Sequence, residues 1–405
     1  MSTTHCPASE AEAAGIIRDA CQARRPLAIE GGGTRTGIGR PVQASATLTS
    51  RALTGIVEYN PAEMVITLAA GTPLDEVEQA LAQSGQRFAF EPADYRALMG
   101  SAGEPTAGAL AAANISGPRR FVAGAARDGL LGVRFVNGEG EVIRNGGKVM
   151  KNVTGLDLVK LMAGSWGTLG FLTQVTFKVQ PVPETEMTLA LRGLLDEDAV
   201  NALAHAMATS AEVSGAAHLP ELVAQRVLDG ALGSAPATLL RLEGFANSVR
   251  IRADKLKALL GRMGEIEEIE AEQSRALWKD VRDVTPFAGG GEDKPVWRIS
   301  MKPSQAHHAV MALRMEAGAS AFYDWQGGLA WVQMEGLDPQ DDTVRAAVAR
   351  FGGGHATLMR ASAAVRATIP VFQPLSPAVA ALSGRIKDTF DPAGILNPGR
   401  MAAGA

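Results

Sequence analysis

Cysteine is nearly missing from this 405-residue chain, with Cys6 and Cys21 the only two, both near the N-terminus. Two thiols exclude a disulfide framework, an iron–sulfur cluster and a cysteine-ligated zinc held by this chain alone. Any electrons it handles must therefore pass through an organic cofactor. Histidine is scarce too, at six residues; His307 and His308 are adjacent and cannot share a helix face, and neither His-Glu-x-x-His nor His-x-x-Glu-His occurs. No protein-encoded metal site is expected. Also missing is any run of about 18 apolar residues. The opening MSTTHCPASEAEAAG has neither a basic head nor an apolar core, so neither secretion nor direct membrane insertion is expected. Nor is there an excess of positive charge: Lys+Arg 39 against Asp+Glu 43 gives a formal −4. Nucleic acid is not the expected partner, and the arginines must act locally.

What is present describes a globular protein, with 46% hydrophobic and 20% charged residues over a length that suggests two or three domains. The most informative stretch is residues 26–39, PLAIEGGGTRTGIG, where an apolar strand runs into three glycines and then hydroxyl residues with an arginine. Backbone without Cβ atoms can wrap a diphosphate with its N–H groups. The dinucleotide fingerprint fails here, because Thr36 follows Gly31 and Gly33 where a third glycine should fall and Pro41 sits where a helix should begin. The loop reads as a phosphate cradle closed by Thr34 and Thr36. Taken alone, the same string also fits a plain turn.

Along the chain, Ser9 with Glu12 forms a capping box ahead of an Ala-rich helix that must stop before Pro26. Residues 65–70, VITLAA, read as a strand; Thr72 as N-cap and Pro73 as first residue then open the helix LDEVEQALAQ, which ends at Ser84-Gly85. VRFV and EVIR flank a hairpin turn, Asn137-Gly138-Glu139-Gly140, whose glycines supply positive φ. Residues 168–179 read as one long strand. Beyond Pro183, short strands (TLALRG, TLLRLEGFA, VWRISM, LAWVQME) alternate with helical runs (EDAVNALAHAMATS, SVRIRADKLKALLGRM, AAVARF). That alternation suits an α+β domain with helices on one face of an antiparallel sheet. Residues 288–291 read as a mobile loop, and 386–400, IKDTFDPAGILNPGR, as a short helix and an ordered tail returning to the first domain.

Four separated segments share glycines and small hydroxyl or amide residues at strand-to-loop junctions. They are the glycine loop, EPTAGALAAANISGPRR (104–120), KNVTGLDLVKLMAGSWGTLGFLTQVTF (151–177) and FDPAGILNPGR (390–400). Together they resemble the FAD-binding domain of the vanillyl-alcohol oxidase, or PCMH, type. Over almost the whole chain the set looks most like the FAD-binding E subunits of bacterial glycolate oxidases. The resemblance implies an α+β protein: a PCMH-type two-subdomain FAD-binding domain at 1–183, an α+β cap with an antiparallel sheet at 184–383, and a C-terminal segment, 384–405, returning to the FAD domain. It implies that Gly31, Gly32, Gly33, Thr34 and Thr36 wrap the FAD diphosphate, in agreement with the loop as read from its residues. By the same likeness Thr106, Gly108, Asn114, Ser116 and Gly117 line the flavin, with Pro92 on the approach. Gly155, Asp157, Gly167, Thr168, Gly170 and Leu172 match positions holding adenine and ribose, and Asn397 the one reaching the isoalloxazine. Thr34 stands where some members carry a linking histidine, so the FAD is expected to be noncovalent.

Other readings of the same residues stay open. Without its neighbours, 104–120 also fits a packed helix ending at Gly117-Pro118, and Arg119 and Arg120 fit a solvated turn as well as a site. His355, in FGGGHATLMR, reads as a loop histidine with no acid partner. The catalytic relatives carry paired histidines and a carboxylate in the substrate domain; between Pro183 and Arg385 no such set is found, and the catalytic residues stay unassigned. The resemblance thus implies the FAD-binding subunit of a multi-subunit glycolate dehydrogenase. It would work in the cytoplasm with a D-type FAD subunit and an iron–sulfur subunit, meeting the inner membrane only through partners. The alternatives are a stand-alone FAD-dependent 2-hydroxy-acid dehydrogenase using Arg298, Lys302, His355 and Arg360, and a non-redox subunit keeping FAD as a structural element.

Overall fold

Four sheets organise the computed structural model, which describes residues 3–148, 155–289 and 294–403. Residues 151–154 of the third glycine-rich segment, and 290–291 of the stretch read as a mobile loop, lie outside the described residues. The helix Glu10–Gln22 starts where its cap was expected. Ser9 Oγ accepts from Glu12 N at 3.2 Å, while the Glu12 carboxylate reaches back to Ala8 N at 2.8 Å instead of Ser9 N. Its apolar side, Ala13, Ala14, Ile17 and Ala20, packs on Leu27 and Leu48 and, from the far end of the chain, on Ile395 and Leu396. Leu27–Glu30 pairs in parallel with Ala46–Thr49 and delivers the chain into the glycine loop.

A five-stranded antiparallel sheet stands beside it, in the order Ile56–Asn60, Val65–Ala69, Phe171–Lys178, Leu130–Val136, Val142–Gly146. Its core holds the rings of Phe88, Phe90 and Phe177, with centroids 5.3 to 5.6 Å apart; burying each contributes about 1.5–3 kcal/mol. Two local expectations change. The strand predicted over 168–179 begins only at Phe171, because Thr168 closes a turn onto Ser165 O through its N–H (3.0 Å) and its hydroxyl (2.7 Å). Thr72 is not the cap of Leu74–Gln83: its buried hydroxyl donates to Ala69 O at 2.7 Å and accepts from Gly55 N at 3.0 Å, leaving Pro73 as N-cap. In the hairpin turn only Gly140 takes positive φ, and Asn137 Oδ1 does the remaining work by accepting from Glu139 N and Glu141 N.

The second half forms one eight-stranded antiparallel sheet made of two βαββαβ units. In each, the fourth strand in chain order lies outermost, beside the first, then the third and the second; the units meet through their second strands, Gly215–Leu219 and Ala319–Asp324, joined by the single pair His218↔Tyr323. Strand alternation explains the layering. Leu189 and Leu191 pack with the helices Asp196–Met207 and Ala246–Leu260, whereas Thr188 on the opposite face receives Trp278 Nε1 at 2.8 Å from the helix Ala271–Asp283. Helices therefore cover both faces rather than one. The repeat helices lie outside, and Ala271–Asp283 lies on the side where Ala190, Leu277 and Trp278 join the core of the five-stranded sheet. The tail returns as expected, after a helix, Pro377–Phe390, longer than the sequence suggested: Leu27 N donates to Ile395 O at 2.7 Å and Asn397 N to Leu27 O at 3.0 Å. No helix among the described residues is long and apolar enough to cross a membrane.

Candidate cofactor site

The glycine loop is polarised. Its carbonyls turn back into the protein and are satisfied there: Gly31 O by Thr49 Oγ1 and Gly32 O by Arg51 Nη2, both at 2.9 Å, Gly33 O by Thr36 Oγ1 at 3.3 Å, Thr34 O by Ser101 Oγ at 2.9 Å, and Arg35 O by Ile38 N at 3.1 Å. The main-chain N–H groups of residues 31–36 donate to nothing among the described residues. Such a run of spare donors is an anion nest. The glycines permit it in different ways. A Cβ on Gly32 would lie 1.7 Å from Glu104 O, so this residue is small because the 104–106 segment crowds it from behind; Gly33 has φ +83°, which side chains disfavour.

Two buried arginines face the same cleft. Arg35 is 6% exposed, and its guanidinium makes one hydrogen bond, Nη2 to Ala93 O at 3.2 Å, leaving Nε and Nη1 without partners. Arg400 donates through Nη2 to Arg35 O at 3.0 Å, lies 5.5 Å from the centroid of the Trp166 ring, and keeps Nε free. Burial pulls its guanidinium down to about 10. Unpaired buried donors of this kind cost stability and call for a ligand. Glu30 and Ser50 also line the cleft, and the rest of its wall is apolar: Ala109, Ala112 and Ala113 of the helix Ala107–Ala113, with Ala70, Phe171 and Leu172. Atom-free space in the cleft, mouth included, is about 670 Å³, within the ~300–1,000 Å³ range of small-molecule sites. Anion donors at one place and flat apolar walls beyond it match a diphosphate-bridged aromatic cofactor, so the residues present fit FAD. The lining contains no His, Cys or Tyr that could bond a flavin covalently.

Of the residues singled out in the sequence, Gly31, Gly32, Gly33, Thr34, Thr36, Gly108, Gly167, Gly170 and Leu172 line this cleft. Thr106 stands behind Gly31 with its buried hydroxyl unpartnered. The others sit elsewhere. Asn114 ends the Ala107–Ala113 helix in the left-handed conformation and accepts Arg127 N at 2.9 Å; Ser116 accepts Ala126 N at 3.0 Å; Gly117 is pressed against Glu91 O. These groups shape the turn after the helix and do not line the cleft. Pro92 borders a separate cavity beside Trp278 and Arg241. Gly155 and Asp157 are exposed, Asp157 capping Leu158–Met162, and Thr168 belongs to the turn on Ser165. Asn397 uses its whole amide on main chain, Oδ1 from Ile29 N (2.7 Å) and Nδ2 to Trp166 O (2.7 Å), tying the two cleft walls together from behind. Arg35, Trp166 and Arg400 were not singled out; the spacing Arg35 shares with the glycines was the available signal.

Where the eight-stranded sheet faces the 88–120 region, charge is mostly paired. Arg241 meets Glu91 through two bonds (2.8 and 2.9 Å), and Glu243 takes Arg87 at 2.7 Å as well as Arg119, which settles Arg119 as an interior ion-pair residue. Burial pulls the Glu243 carboxyl up, but Arg241, Arg119 and Arg87 together hold it down to about 2. Arg298 and His355 lie on one face of neighbouring strands, through the pairs Arg298↔Thr357 and Ser300↔His355. His355 is thus a strand residue, exposed, and not in a loop. Lys302 caps the next helix in solvent, and Arg360 is held by the carbonyls of Leu98 and Phe287. Among the described residues no three His, Cys, Asp or Glu side chains gather as a metal site requires.

Comparison with known proteins agrees with this geometry. A family described as "FAD binding domain" matches residues 2–146. The chain is 35% identical over 388 residues to the glycolate oxidase subunit GlcE of Escherichia coli K12, covering 96% of this chain and 95% of that one. Glycolate oxidase subunit GlcD of Bacillus subtilis 168 is 29% identical over 184 residues, 45% of this chain and 38% of its own. Among solved structures, substrate-bound p-cresol methylhydroxylase superposes with a TM-score of 0.71 at 15% identity, over 98% of this chain and 88% of that one, which shows the PCMH fold. By its 35% identity to one subunit type over nearly the full length of both chains, together with the polarised loop and the two buried arginines, this chain belongs to the GlcE family of PCMH-type FAD-binding proteins.

Proposed function

We propose that this chain is the noncovalent FAD carrier of a multi-subunit glycolate dehydrogenase (glycolate oxidase) in the cytoplasm, working beside a D-type flavoprotein subunit and an iron–sulfur subunit to oxidise glycolate to glyoxylate. The observation that carries the reading is the run of unpartnered N–H groups at residues 31–36 beside the free donors of Arg35. Bound there, FAD supplies a two-electron acceptor for an alcohol carbon. The chain's own part is to neutralise the diphosphate through main-chain donors and two guanidiniums, to enclose the flat rings between alanines and Phe171, and to keep water from that surface. Its two cysteines support handing electrons to clusters elsewhere. The boundaries at 183 and 383 belong to the same reading, supported by the separate strands of the five- and eight-stranded sheets, which share none among the described residues.

Two measurements test it. Acid precipitation is expected to release FAD completely; flavin left in the pellet, or FMN in the supernatant, rejects noncovalent FAD. Anaerobic mixing of the flavin-loaded chain with glycolate is expected to leave the flavin absorbance unchanged on the time scale of complex turnover. Bleaching at the turnover rate makes the chain a dehydrogenase in its own right.

A further inference from the structure

The two βαββαβ units meet along a thin seam. One strand pair, His218↔Tyr323, joins them in the sheet. On the helix side a buried acid ties them: Asp196, which opens the helix Asp196–Met207 of the first unit, takes Arg314 Nη1 at 2.7 Å and the Tyr323 hydroxyl, both from the second unit. At this end of the helices the surface is apolar. Leu195, one residue before Asp196, is 72% exposed, and Met315, one residue after Arg314, is 80% exposed. Met311, one turn earlier on the helix Pro303–Ala317, is 52% exposed, and Leu337 is 66% exposed. Leu337 lies in the loop after Leu329–Met334, which returns to the same helix end, Glu335 N donating to Gly318 O at 3.1 Å. Large apolar side chains left singly in solvent need no explanation, but four gathered at one helix end, drawn from both units, mark an interaction surface. Two are methionines, whose flexible thioethers adapt to a partner and are enriched at interfaces.

The charge around the patch selects what it meets. Glu197, Asp198, Glu316, Glu335 and Asp338, all exposed, stand next to these side chains or a few residues from them in the chain. The cations beside them are already set against acids, Arg314 on Asp196 and Arg350 on Glu316 at 3.9 Å. An apolar patch with an acidic rim is repelled by the anionic surface of a bilayer and by nucleic acid. A second copy related by a two-fold axis would lay the same acids against one another. The complementary surface is that of a different protein, apolar at its centre and ringed by lysine or arginine.

We propose that Leu195, Met311, Met315 and Leu337 form the docking surface for another subunit of the complex, one that presents an apolar patch within a basic rim. The proposal rests on the reading of this chain as one member of a multi-subunit dehydrogenase, and it names the face that reading left open. The methionines and leucines supply the buried centre, and the carboxylates steer the approach and fix the register.

The test is assembly of the full, flavin-loaded chain with the D-type and iron–sulfur subunits of the same organism, by co-purification and then by titration with the partner that is retained. Leu195→Lys/Met315→Lys is expected to keep its flavin and melting temperature and to assemble roughly ten-fold or more weakly. Glu197→Lys/Glu335→Lys, which leaves the apolar centre intact, is expected to lose less affinity and to show a flatter dependence on salt. Assembly of both variants as tight as that of the wild type overturns the surface and leaves the multi-subunit reading standing. Concentration-dependent dimerisation of the chain alone, abolished by the first variant, gives the face to a second copy, and sedimentation with phosphatidylglycerol vesicles, abolished in the same way, gives it to lipid; either result overturns the proposal. A wild-type chain that carries FAD but assembles with neither subunit overturns the reading beneath.

Discussion

Arg241 and Arg35 are both buried, 2% and 6% exposed, and their surroundings treat them in opposite ways. Arg241, where the eight-stranded sheet faces residue 91, is answered by two bonds from Glu91 and by nearby Glu243. Arg35, in the cleft, is answered by a single carbonyl. The chain thus completes its electrostatics where two of its own parts meet, and leaves them open where a ligand is to arrive. A site that must bind a diphosphate keeps its cations unpaired, at some cost to the unliganded fold.

Four changes separate the two regions, in descending size. Arg241→Ala strands Glu91 and Glu243 without their main partner and is expected to cost about 3–5 kcal/mol of stability. Urea unfolding of the flavin-free variant measures it, and a loss below about 1 kcal/mol would mean that the ion pairs are incidental. The second change is in pH. The Glu243 carboxyl ordinarily titrates at 4.5 and is held at about 2 in the folded chain. Its stabilisation is therefore full above pH 4.5 and disappears as pH falls through 2, amounting to about 3 kcal/mol. An acid unfolding profile should show this limb in the wild type and lose most of it in Arg241→Ala.

The third change belongs to the cleft. Arg35→Gln removes charge-assisted donors worth about 1.5–3 kcal/mol to an anion, so FAD should bind about 10- to 100-fold more weakly, while the apo protein keeps or gains stability. Flavin titration followed by apo-protein melting reads both effects, and equal damage to both would mean that Arg35 serves the fold as Arg241 does. Gly33→Ala is the smallest: its φ of +83° and the flexible Arg51 Nη2 3.0 Å from the new Cβ imply a strain of roughly 1 kcal/mol. A modest fall in both flavin affinity and melting temperature is the expected result.

How far each region could be read from the sequence follows from the same contrast. The cradle is made of main-chain atoms at consecutive positions, so three glycines and two threonines made it legible, and Gly108, Gly167, Gly170 and Leu172 line the same cleft. Arg35 was in view but unweighted, since a lone arginine in a loop carries no sign of whether it will find an acid. Asn114 and Ser116 were harder to read because an amide and a hydroxyl suit a ligand and a helix end equally well, and here each bonds main chain in the turn after the helix. The meeting of Arg241 with Glu91, 150 residues apart, depends on strand register and no local pattern encodes it. Short strands such as Gly215–Leu219 and Ala319–Asp324 escaped for a related reason: GAAHL and ASAFYD are too brief and too small to show alternation.

The bond between Asn397 and Ile29 spans 368 positions. A ribosome delivers the glycine loop more than three hundred residues before the residue that locks its leading strand, so through all of that synthesis Leu27–Glu30 lacks the partner main chain of Ile395 and Asn397. The nascent chain can fold its five-stranded sheet while the flavin groove is still ajar. Closure of the groove is in this way deferred until residues 395–397 have been made and have returned to the leading strand.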